Sequence, residues 1–557
     1  MLITFIAWCL ITWFAFCVGT VSVQFWHKVS RQRGNVRSPL DETLLMGICM
    51  LTVYAEFFSL FYRVAIEAFL LLTMFCLFMS WRNWKEYRQI FQELIKIKKQ
   101  FLLGAAVVLI IMLLVGASGD SLYDTGLYHA QMIRWTEEYG AVKGLGCLHH
   151  RFAFNSAFLV LQSLFSFGYL FGQELYSLNA YLAFLLVLWV LSTFKLWKEK
   201  TVSLSDMGRL LFFIFLITMK NRIDSPGTDF FAIALTIYVM TKWFVLIEER
   251  CEDVRPYLFL CFFAVYAVTL KLSAAVIVLL SLYPLYMLIR RKEYRLLCIS
   301  LAIGLAIAVP FLIRNVLLSG YLLYPFPAVD LFSVDWKMPI EEVIADKIEI
   351  TGWARGLRGQ EQYAYPFAQW FPIWWDTLGI FNKICFIFFF PSFAVMLIRC
   401  VHVGLSSRVQ QEKIGIVHLY FVEAMLVLLW FVSAPDLRFG GVFLLLVPFT
   451  LAGELLAQCK WKIVTVGTAS LTILFVSFIM MRYILTEEIY VITPAPYSYY
   501  EVKSCKLSGV TFYYPAEGDQ VGYYHFPSTP YGKRITENMI ELRNIEKGIG
   551  EGFRMKR

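Results

Sequence analysis

The sequence predicts an all-α polytopic membrane bundle of about fourteen spanning helices, followed by a small external β-rich C-terminal tail with strand-like fragments such as 510–514. Hydrophobic residues make up 59% of the 557 residues and charged residues only 16%, and the mean hydropathy is +0.63. An ordinary soluble domain has roughly 45–50% apolar and about 25% charged residues. Because a soluble fold of this size cannot bury so much apolar surface, the composition excludes soluble, disordered, fibrous and disulfide-scaffold proteins.

The spanning helices are predicted where about 20 mostly apolar residues follow one another. The predicted spans are 2–24, 42–60, 63–80, 101–117, 177–194, 208–220, 229–247, 256–271, 273–290, 296–316, 376–398, 414–432, 439–457 and 463–481. The chain then divides into N-terminal helices with a basic connector (1–100), a core with an external loop at 118–155 (101–316), a large external loop (317–375), C-terminal helices (376–481) and an external tail (482–557).

The net charge of +9 lies mainly in short connectors, such as 82–99 and 290–295. Membrane proteins keep such connectors cytoplasmic, so the polar loops, Met1 and Arg557 are all expected outside. A nucleic-acid partner is excluded because no basic face with interleaved aromatic residues is visible. We therefore expect a multi-pass membrane protein whose polar loops lie on the external face.

The apolar stretch 152–171 does not fit this topology as a further span, because counting it would put a basic connector or the 118–152 loop on the wrong side. It is predicted to lie along the outer membrane face as a perimembrane helix, with Arg151 and Asn155 turned to water. Cys147 and Cys505 lie in polar segments, and whether they pair is left open.

The first candidate motif follows the span 101–117 directly and reads GDSLYDTGLYHAQMIRW, from Gly119 to Trp135. Asp120 and Asp124 emerge there at the membrane boundary, and a helical spacing places Gln131 on the face of Asp124, with His129 further around. Asp124 is the expected catalytic base, since a carboxylate accepts the proton of an attacking hydroxyl. The alternative is that Asp124 only caps the following helix.

The second motif, GCLHHRFAFNS, begins at Gly146 and contains His149, His150 and Arg151. These side chains form a cationic cluster at headgroup level that suits a phosphate, or else they anchor the chain to lipid headgroups. Neighbouring histidines do not share a helix face, so a metal site from this pair alone is not expected.

The third motif, KNRIDSPGTDFFAIAL, places Asp224 and Asp229 around a turn at the mouth of a span, where Asp229 is either functional or an N-cap. Lys271 is isolated in an apolar run, which indicates either function or a side chain snorkelling from a helix end. Arg314 and Arg438 lie at predicted external helix ends, as further candidates for binding an anionic group.

Carboxylates and cations on one membrane face suit a reaction between a lipid-phosphate-linked donor and an acceptor hydroxyl. These motifs resemble those of the GT-C-type membrane glycosyltransferases, such as the protein O-mannosyltransferases and the lipid A aminoarabinose transferases, and in particular a bacterial branch with an external tail. The resemblance covers about residues 100–480. It rests on Asp124 in YDTGLYHAQMIRW, on 149–155, on Asp229 in SPGTDFFAIAL, and on the runs PFLIRN…SGYLLYP and APDLRF.

The resemblance implies an inverting transfer of a sugar from a polyprenyl-phosphate donor to a glycan or lipid acceptor, for surface polysaccharide or glycolipid modification. It also implies a location in the bacterial inner (plasma) membrane, with the active site on the external, periplasmic face. It implies Asp124 as base, Asp229 orienting the acceptor or supporting a metal, and the cationic residues binding donor phosphate. The family commonly has an acidic pair where Thr125 follows Asp124 here. Either Asp120 supplies the second carboxylate or there is none, so a divalent cation bound by Asp124 and Asp229 stays open as a cofactor. The alternatives are a polysaccharide polymerase or ligase using polyprenyl-diphosphate donors, and a lipid-linked sugar transporter or flippase.

Overall fold

A computed structural model describes residues 1–32, 38–194, 203–219, 222–405, 411–456 and 488–556. Across these residues the chain is mostly helical, and its strands form two small two-stranded sheets in the C-terminal tail. Among the described helices, nine are long and apolar enough to cross a membrane, or ten if the bent pair Ile66–Arg82 and Trp84–Ile90 is one span. The chain is therefore a multi-pass, predominantly α-helical membrane protein.

The nine candidate spans are Leu2–Val29, Leu40–Ser59, Lys99–Ala117, Asp229–Glu248, Leu272–Arg290, Tyr294–Ser319, Ile380–His402, Gly415–Ser433 and Leu437–Leu456. The helix Ile380–Leu405 extends past its candidate span, and the span Leu437–Leu456 combines Leu437–Gly440, a 3₁₀ turn at Gly441–Leu445 and the helix Leu446–Leu456.

The predicted number of fourteen spans is not confirmed. Three predicted spans form shorter helices, Leu178–Thr193, Leu204–Thr218 and Val254–Leu270, of 16, 15 and 17 residues. A helix rises only about 1.5 Å per residue, so these fall short of the roughly 20 residues of a typical span. The predicted span 463–481 lies outside the described residues, as does Arg557.

The segments that the sequence predicts to be external also form helices. The segment after the span Lys99–Ala117 contains a π-helix at Thr125–His129, the helices Ala130–Tyr139 and Leu145–Leu148, and a 3₁₀ turn at His150–Ala153. The predicted external loop 317–375 contains Ile340–Ala354, a 3₁₀ turn at Gln360–Ala364 and most of Phe367–Thr377.

The segment 152–171 differs from its prediction. It forms the short helix Ala157–Leu164, whose residues are all buried, and then a four-residue turn of helix after Phe167, which adopts a positive φ of 53°. Asn155 accepts a hydrogen bond from Arg314 and donates one to the carbonyl of Phe311, rather than facing water. The strongly apolar sequence packs inside the bundle, where its side chains gain van der Waals contacts on every side.

Hydrogen bonds show which segments lie together at each end of the bundle. At one end the amino group of Met1 donates to the carbonyl of Tyr490, and the amide of Ala495 donates to the carbonyl of Ala117. At the other end Arg255 donates to the carbonyl of Ser30 over 2.9 Å. Met1, the 118–155 loop and the C-terminal tail therefore share one face, whereas the connectors around 30 and 255 meet at the other. That the first face is the outer one stays a prediction.

The C-terminal tail packs on this shared face. Val502–Leu507 pairs antiparallel with Val510–Pro515, and Ile540–Leu542 pairs with Phe553–Met555. The strand predicted at 510–514 is confirmed. A second hydrophobic core joins the tail to the loop after the span Lys99–Ala117, through Phe512, Phe553 and Trp135. Cys147 is buried, Cys505 lies in the first strand, and both thiols are free.

Candidate functional site

The Asp124 carboxylate contacts a cation that lies 314 positions away in the sequence. Arg438 Nη1 donates to Asp124 Oδ2 over 2.9 Å, and the two side chains keep 27% and 20% of their surface exposed. Asp124 precedes the π-helix Thr125–His129 but makes no side-chain capping hydrogen bond to it. The capping interpretation of Asp124 therefore finds no support, and its carboxylate faces the turn of the APDLRF run.

A second ion pair lies beside the first. Lys271 Nζ contacts Asp229 Oδ1, and the side chain of Asp229 is only 7% exposed. Asp229 is the first residue of its helix and makes no capping bond, because Thr228 holds the capping position. Lys271 adopts an extended backbone between the helix Val254–Leu270 and the 3₁₀ segment Leu272–Ser281. The lysine thus lies at the turn between two helical segments, where it emerges from a helix end.

One aromatic ring joins the two ion pairs. Lys271 Nζ lies 4.1 Å from the ring centroid of Phe439, and the guanidinium carbon of Arg438 lies 4.7 Å from it. A cation placed over an aromatic face is attracted to the ring, so Phe439 holds both cations close together. Asp436 supports this turn, because its carboxylate accepts from the backbone amide of Arg438 over 2.9 Å. We call Asp124, Asp229, Lys271, Arg438 and Phe439 the charged pocket.

Arg222 is a third cation at the charged pocket that the sequence did not single out. Its charge interacts with those of Arg438 and Asp124. It belongs to the KNRIDSPG run, in which Asp224 accepts hydrogen bonds from Ser121 over 3.0 and 3.2 Å. Phe439 was missed as well, although both residues lie in sequence motifs whose charged neighbours were recognised.

The charged pocket keeps Asp124 ionised. Burial disfavours the charged carboxylate, but the positive charges of Arg438, Arg151 and Lys271 outweigh it, so the pKa of Asp124 lies below its ordinary value. Burial lowers the pKa of His129 to about 4, against the opposing charge of Asp124, and neither ring nitrogen has a hydrogen-bond partner among the described residues. A neutral imidazole therefore lies near an anionic carboxylate.

The pKa of Asp120 is shifted in the opposite direction from that of Asp124. Burial raises the pKa of Asp120 to about 6, although its Oδ1 accepts from the amide of Leu122 over 2.8 Å. That contact forms a local turn and leads into the segment that carries Asp124. Asp120 is thus a positioning residue for the loop in this structure, and the second carboxylate of the charged pocket is Asp229.

Gln131 does not share a face with Asp124, contrary to the helical spacing. Its amide donates to the carbonyls of Gly522 over 2.8 Å and His525 over 3.0 Å, so it holds the C-terminal tail. The reason is the π-helix Thr125–His129, whose wider turn rotates the following residues away from the α-helical position. No pattern in the sequence of this run predicts a π-helix.

The predicted phosphate cluster has acidic partners. His150 Nε2 lies 3.5 Å from Asp346 Oδ1, and Arg151 lies 3.6 Å from the same oxygen and 3.1 Å from Glu349 Oε1. Burial, followed by the charge of Arg151, lowers the pKa of His150 to about 3, so the imidazole is neutral. Asp346 and Glu349 were missed, although their i, i+3 spacing places them on one helix face.

His149 and Arg314 lie inside the protein. His149 is 2% exposed, its Nδ1 accepts from the amide of Arg151, and its ring stacks on His150 with centroids 4.3 Å apart. Arg314 is 1% exposed and donates to Asn155 over 3.2 Å and to Ser59 over 2.5 Å. The structure therefore brings Arg438 and Lys271 to Asp124 and Asp229, and gives His149 and Arg314 partners elsewhere.

The donor set of the charged pocket does not fit a divalent cation held by Asp124 and Asp229. Magnesium and calcium take several oxygen ligands, but among the described residues no third candidate ligand joins Asp124 and Asp229, and each of the two has a protein cation of its own. The part of the chain that the structure describes contains one group with metal-ligand spacing, namely His150, Asp346 and Glu349.

An apolar cavity of about 890 Å³ lies between the helices Phe367–Thr377, Ile380–Leu405 and Gln411–Ser433. Its lining is almost entirely aromatic and aliphatic and includes Phe371, Phe389, Phe431 and Leu428. Trp374 and Trp430 donate to the carbonyls of Pro435 and Asp436, each over 2.8 Å. These two tryptophans do not line the cavity, but they belong to two of the helices that form it, and they hydrogen-bond those helices to the turn that carries Arg438.

The sequence model of one family matches residues 1–445, and that family is described as a domain of unknown function, DUF8201. The chain belongs to this family. The charged pocket lies wholly within the matched residues, whereas the described tail, 488–556, lies beyond them. No curated protein matches the chain.

Proposed function

We propose that the protein is a membrane glycosyltransferase that moves a sugar from a polyprenyl-phosphate donor to an acceptor hydroxyl at the outer membrane face. The observation that carries the proposal is the charged pocket itself. Segments distant in sequence bring one accessible carboxylate, Asp124, into contact with Arg438, beside a second ion pair at Lys271. A transferase needs a base for the hydroxyl and cations for the departing phosphate, and the charged pocket supplies both.

The base in this mechanism is Asp124. The acceptor oxygen attacks the anomeric carbon, its proton passes to the Asp124 carboxylate, and a new carbon–oxygen bond forms. The bond between the anomeric carbon and the phosphate oxygen breaks, and polyprenyl phosphate leaves with the electron pair. A single displacement of this kind inverts the anomeric configuration.

Arg438 connects donor binding to the base. Arg438 donates to Asp124 and so neutralises its charge, and a guanidinium is also the partner best suited to a phosphate. When the donor phosphate arrives, Arg438 turns part of its hydrogen bonding toward the phosphate, which makes the Asp124 carboxylate a stronger proton acceptor. Lys271 adds a second positive charge, and Asp229 keeps that lysine in place.

The apolar cavity gives the donor a place for its lipid tail. A prenyl chain has no polar groups, so it can pass from the lipid into an apolar groove without losing any hydrogen bond. Trp374 and Trp430 hydrogen-bond the helices around this cavity to the Arg438 turn, so a tail lodged there would have its phosphate on the side of the cations.

A polysaccharide polymerase or ligase acting on polyprenyl-diphosphate donors is the second candidate. The observation that favours it is the number of basic side chains, since Arg438, Lys271 and Arg222 all lie at the charged pocket, whereas a polyprenyl-phosphate sugar carries the single charge of one phosphodiester. The choice between the two candidates is the choice between one phosphate and two.

Binding of polyprenyl phosphate to the purified protein tests the proposal and separates the candidates. We expect Arg438→Gln and Lys271→Gln each to weaken binding at least tenfold. Arg255→Gln is the matched control, because Arg255 also pairs with an aspartate but lies at the opposite end of the bundle. Unchanged binding in both pocket variants would contradict the proposal, and binding confined to polyprenyl diphosphate would favour the polymerase.

A further inference from the structure

A group of potential metal ligands lies outside the charged pocket, on the same external face. His150 belongs to the 3₁₀ turn His150–Ala153, and Asp346 and Glu349 belong to the helix Ile340–Ala354 of the large external loop. One ligand atom from each residue lies within 4.8 Å of the other two. Two segments separated by almost two hundred residues therefore present an imidazole and two carboxylates to one point.

The spacing fits a single ion. Zinc–nitrogen and zinc–oxygen bonds are about 2.0–2.2 Å long, so two ligand atoms at tetrahedral positions lie roughly 3.3–3.5 Å apart. His150 Nε2 and Asp346 Oδ1 are 3.5 Å apart. The Glu349 side chain is 40% exposed, so it has the freedom to close the remaining distance.

A buried oxygen aimed into this group has no hydrogen-bond partner. The Asp346 side chain is only 1% exposed, and its Oδ2 accepts from the hydroxyl of Tyr324 over 2.8 Å. Its Oδ1 is buried without a hydrogen bond from any described residue. Leaving a buried carboxylate oxygen unsatisfied is costly, and coordination of a cation removes that cost.

The protein cations nearby do not satisfy this oxygen. Arg151 donates to Glu349 over 3.1 Å but stays 3.6 Å from Asp346 Oδ1, which is beyond hydrogen-bond distance. Arg534 is held by Glu342 over 2.8 Å. One guanidinium thus faces two carboxylates, and a divalent ion supplies the charge that is missing.

We infer that His150, Asp346 and Glu349 form a binding site for a first-row divalent metal ion, with zinc as the best match. Imidazole nitrogen favours zinc over magnesium or calcium, which prefer all-oxygen sites. Three protein ligands leave a fourth position for water, and the 19% exposure of His150 provides a path for the ion. The bound ion joins the external helix Ile340–Ala354 to the turn that follows His149.

The inferred site does not depend on the proposed transferase activity, and metal content measures it directly. The purified full-length protein is stripped with chelator, dialysed against Zn²⁺ and measured by elemental mass spectrometry. We expect one zinc per chain in the wild type, and at least a tenfold loss of affinity in His150→Gln and Asp346→Asn. Because Zn²⁺ binds the folded state, it should also raise the melting temperature of the wild type.

Two further variants keep the test decisive. Glu341→Gln is the matched control, because Glu341 is an exposed glutamate on the same helix and should leave zinc binding unchanged. Glu349→Gln alters a half-exposed ligand that folding does not require, and it should weaken binding even if Asp346→Asn fails to fold. Absence of bound zinc in the wild type, or equal zinc content in the wild type and Glu349→Gln, would overturn the inference.

Discussion

Replacement of Asp124 by Asn separates chemistry from structure at the charged pocket. The substitution keeps the shape of the side chain but removes its charge and its ability to accept a proton. General-base catalysis typically contributes about 10²–10⁴-fold to a rate, so kcat should fall by at least 10². A capping role would make the change nearly silent, since Asn caps a helix about as well as Asp.

The same substitution should also lower stability, because Arg438 loses its counterion. Removing one partner of a fully buried ion pair costs about 3–5 kcal/mol, and an exposed pair contributes about 0–1 kcal/mol. The Asp124 and Arg438 side chains keep 20% and 27% exposure, which places this pair between the two limits. We expect a loss of about 1–3 kcal/mol for Asp124→Asn, and a double variant with Arg438→Gln that loses less than the sum of the single variants.

Turnover of a lipid-linked sugar and thermal unfolding in detergent measure the two effects separately. The matched control is Asp253→Asn, because Asp253 caps a helix and pairs with Arg255 over 2.9 Å at the opposite end of the bundle. The control should keep its turnover and lose less than about 1 kcal/mol. Wild-type turnover by a folded Asp124→Asn protein would refute the assignment of the base.

Three further outcomes are expected. Lys271→Met should lower turnover at least tenfold, and adding Asp229→Asn should not restore it, because the lysine binds the phosphate in addition to pairing with Asp229. Recovery of turnover in the double variant would show that Lys271 has only a structural role. Folding raises the pKa of Asp120 to about 6, so ionisation of this carboxyl opposes folding as the pH rises from about 4 through 6. Asp120→Asn still accepts the same amide hydrogen bond, so it should raise the melting temperature at pH 7.5 but not at pH 4. Gln131→Ala removes two hydrogen bonds to tail carbonyls, each worth about 0.5–1.5 kcal/mol, and limited proteolysis should then cut the tail faster without changing the helical content.

Local sequence patterns predicted the individual elements well. The span predicted at 229–247 is the helix Asp229–Glu248, and the predicted strand at 510–514 is Val510–Pro515. Both patterns depend on residues adjacent along the chain, where apolar runs and β-branched residues act directly on the backbone. The segment 152–171 was misplaced because its apolar composition suits a membrane surface and a buried core equally.

The sequence could not show which charged side chains pair at the site, because the paired residues lie far apart along the chain. Asp124, Asp229 and Arg438 were selected because they lie at the ends of apolar runs, and Lys271 because it is isolated within one. The sequence contains nothing to show which carboxylate contacts which cation. Those pairs are set by helix packing, which brings the APDLRF turn to the loop of Asp124. The partners of His150 were missed for the same reason, since the helix Ile340–Ala354 lies far along the chain.

Direct observation of sugar transfer tests the proposed transferase activity. The purified protein, reconstituted in liposomes, is given a panel of polyprenyl-phosphate sugars with candidate glycan and lipid acceptors, and the lipid products are followed by mass spectrometry. The proposed mechanism predicts release of free polyprenyl phosphate in equal amount to the glycosylated acceptor, with inversion at the anomeric carbon. Consumption of polyprenyl-diphosphate donors alone, or movement of intact lipid-linked sugar across the bilayer without release of polyprenyl phosphate, would contradict it.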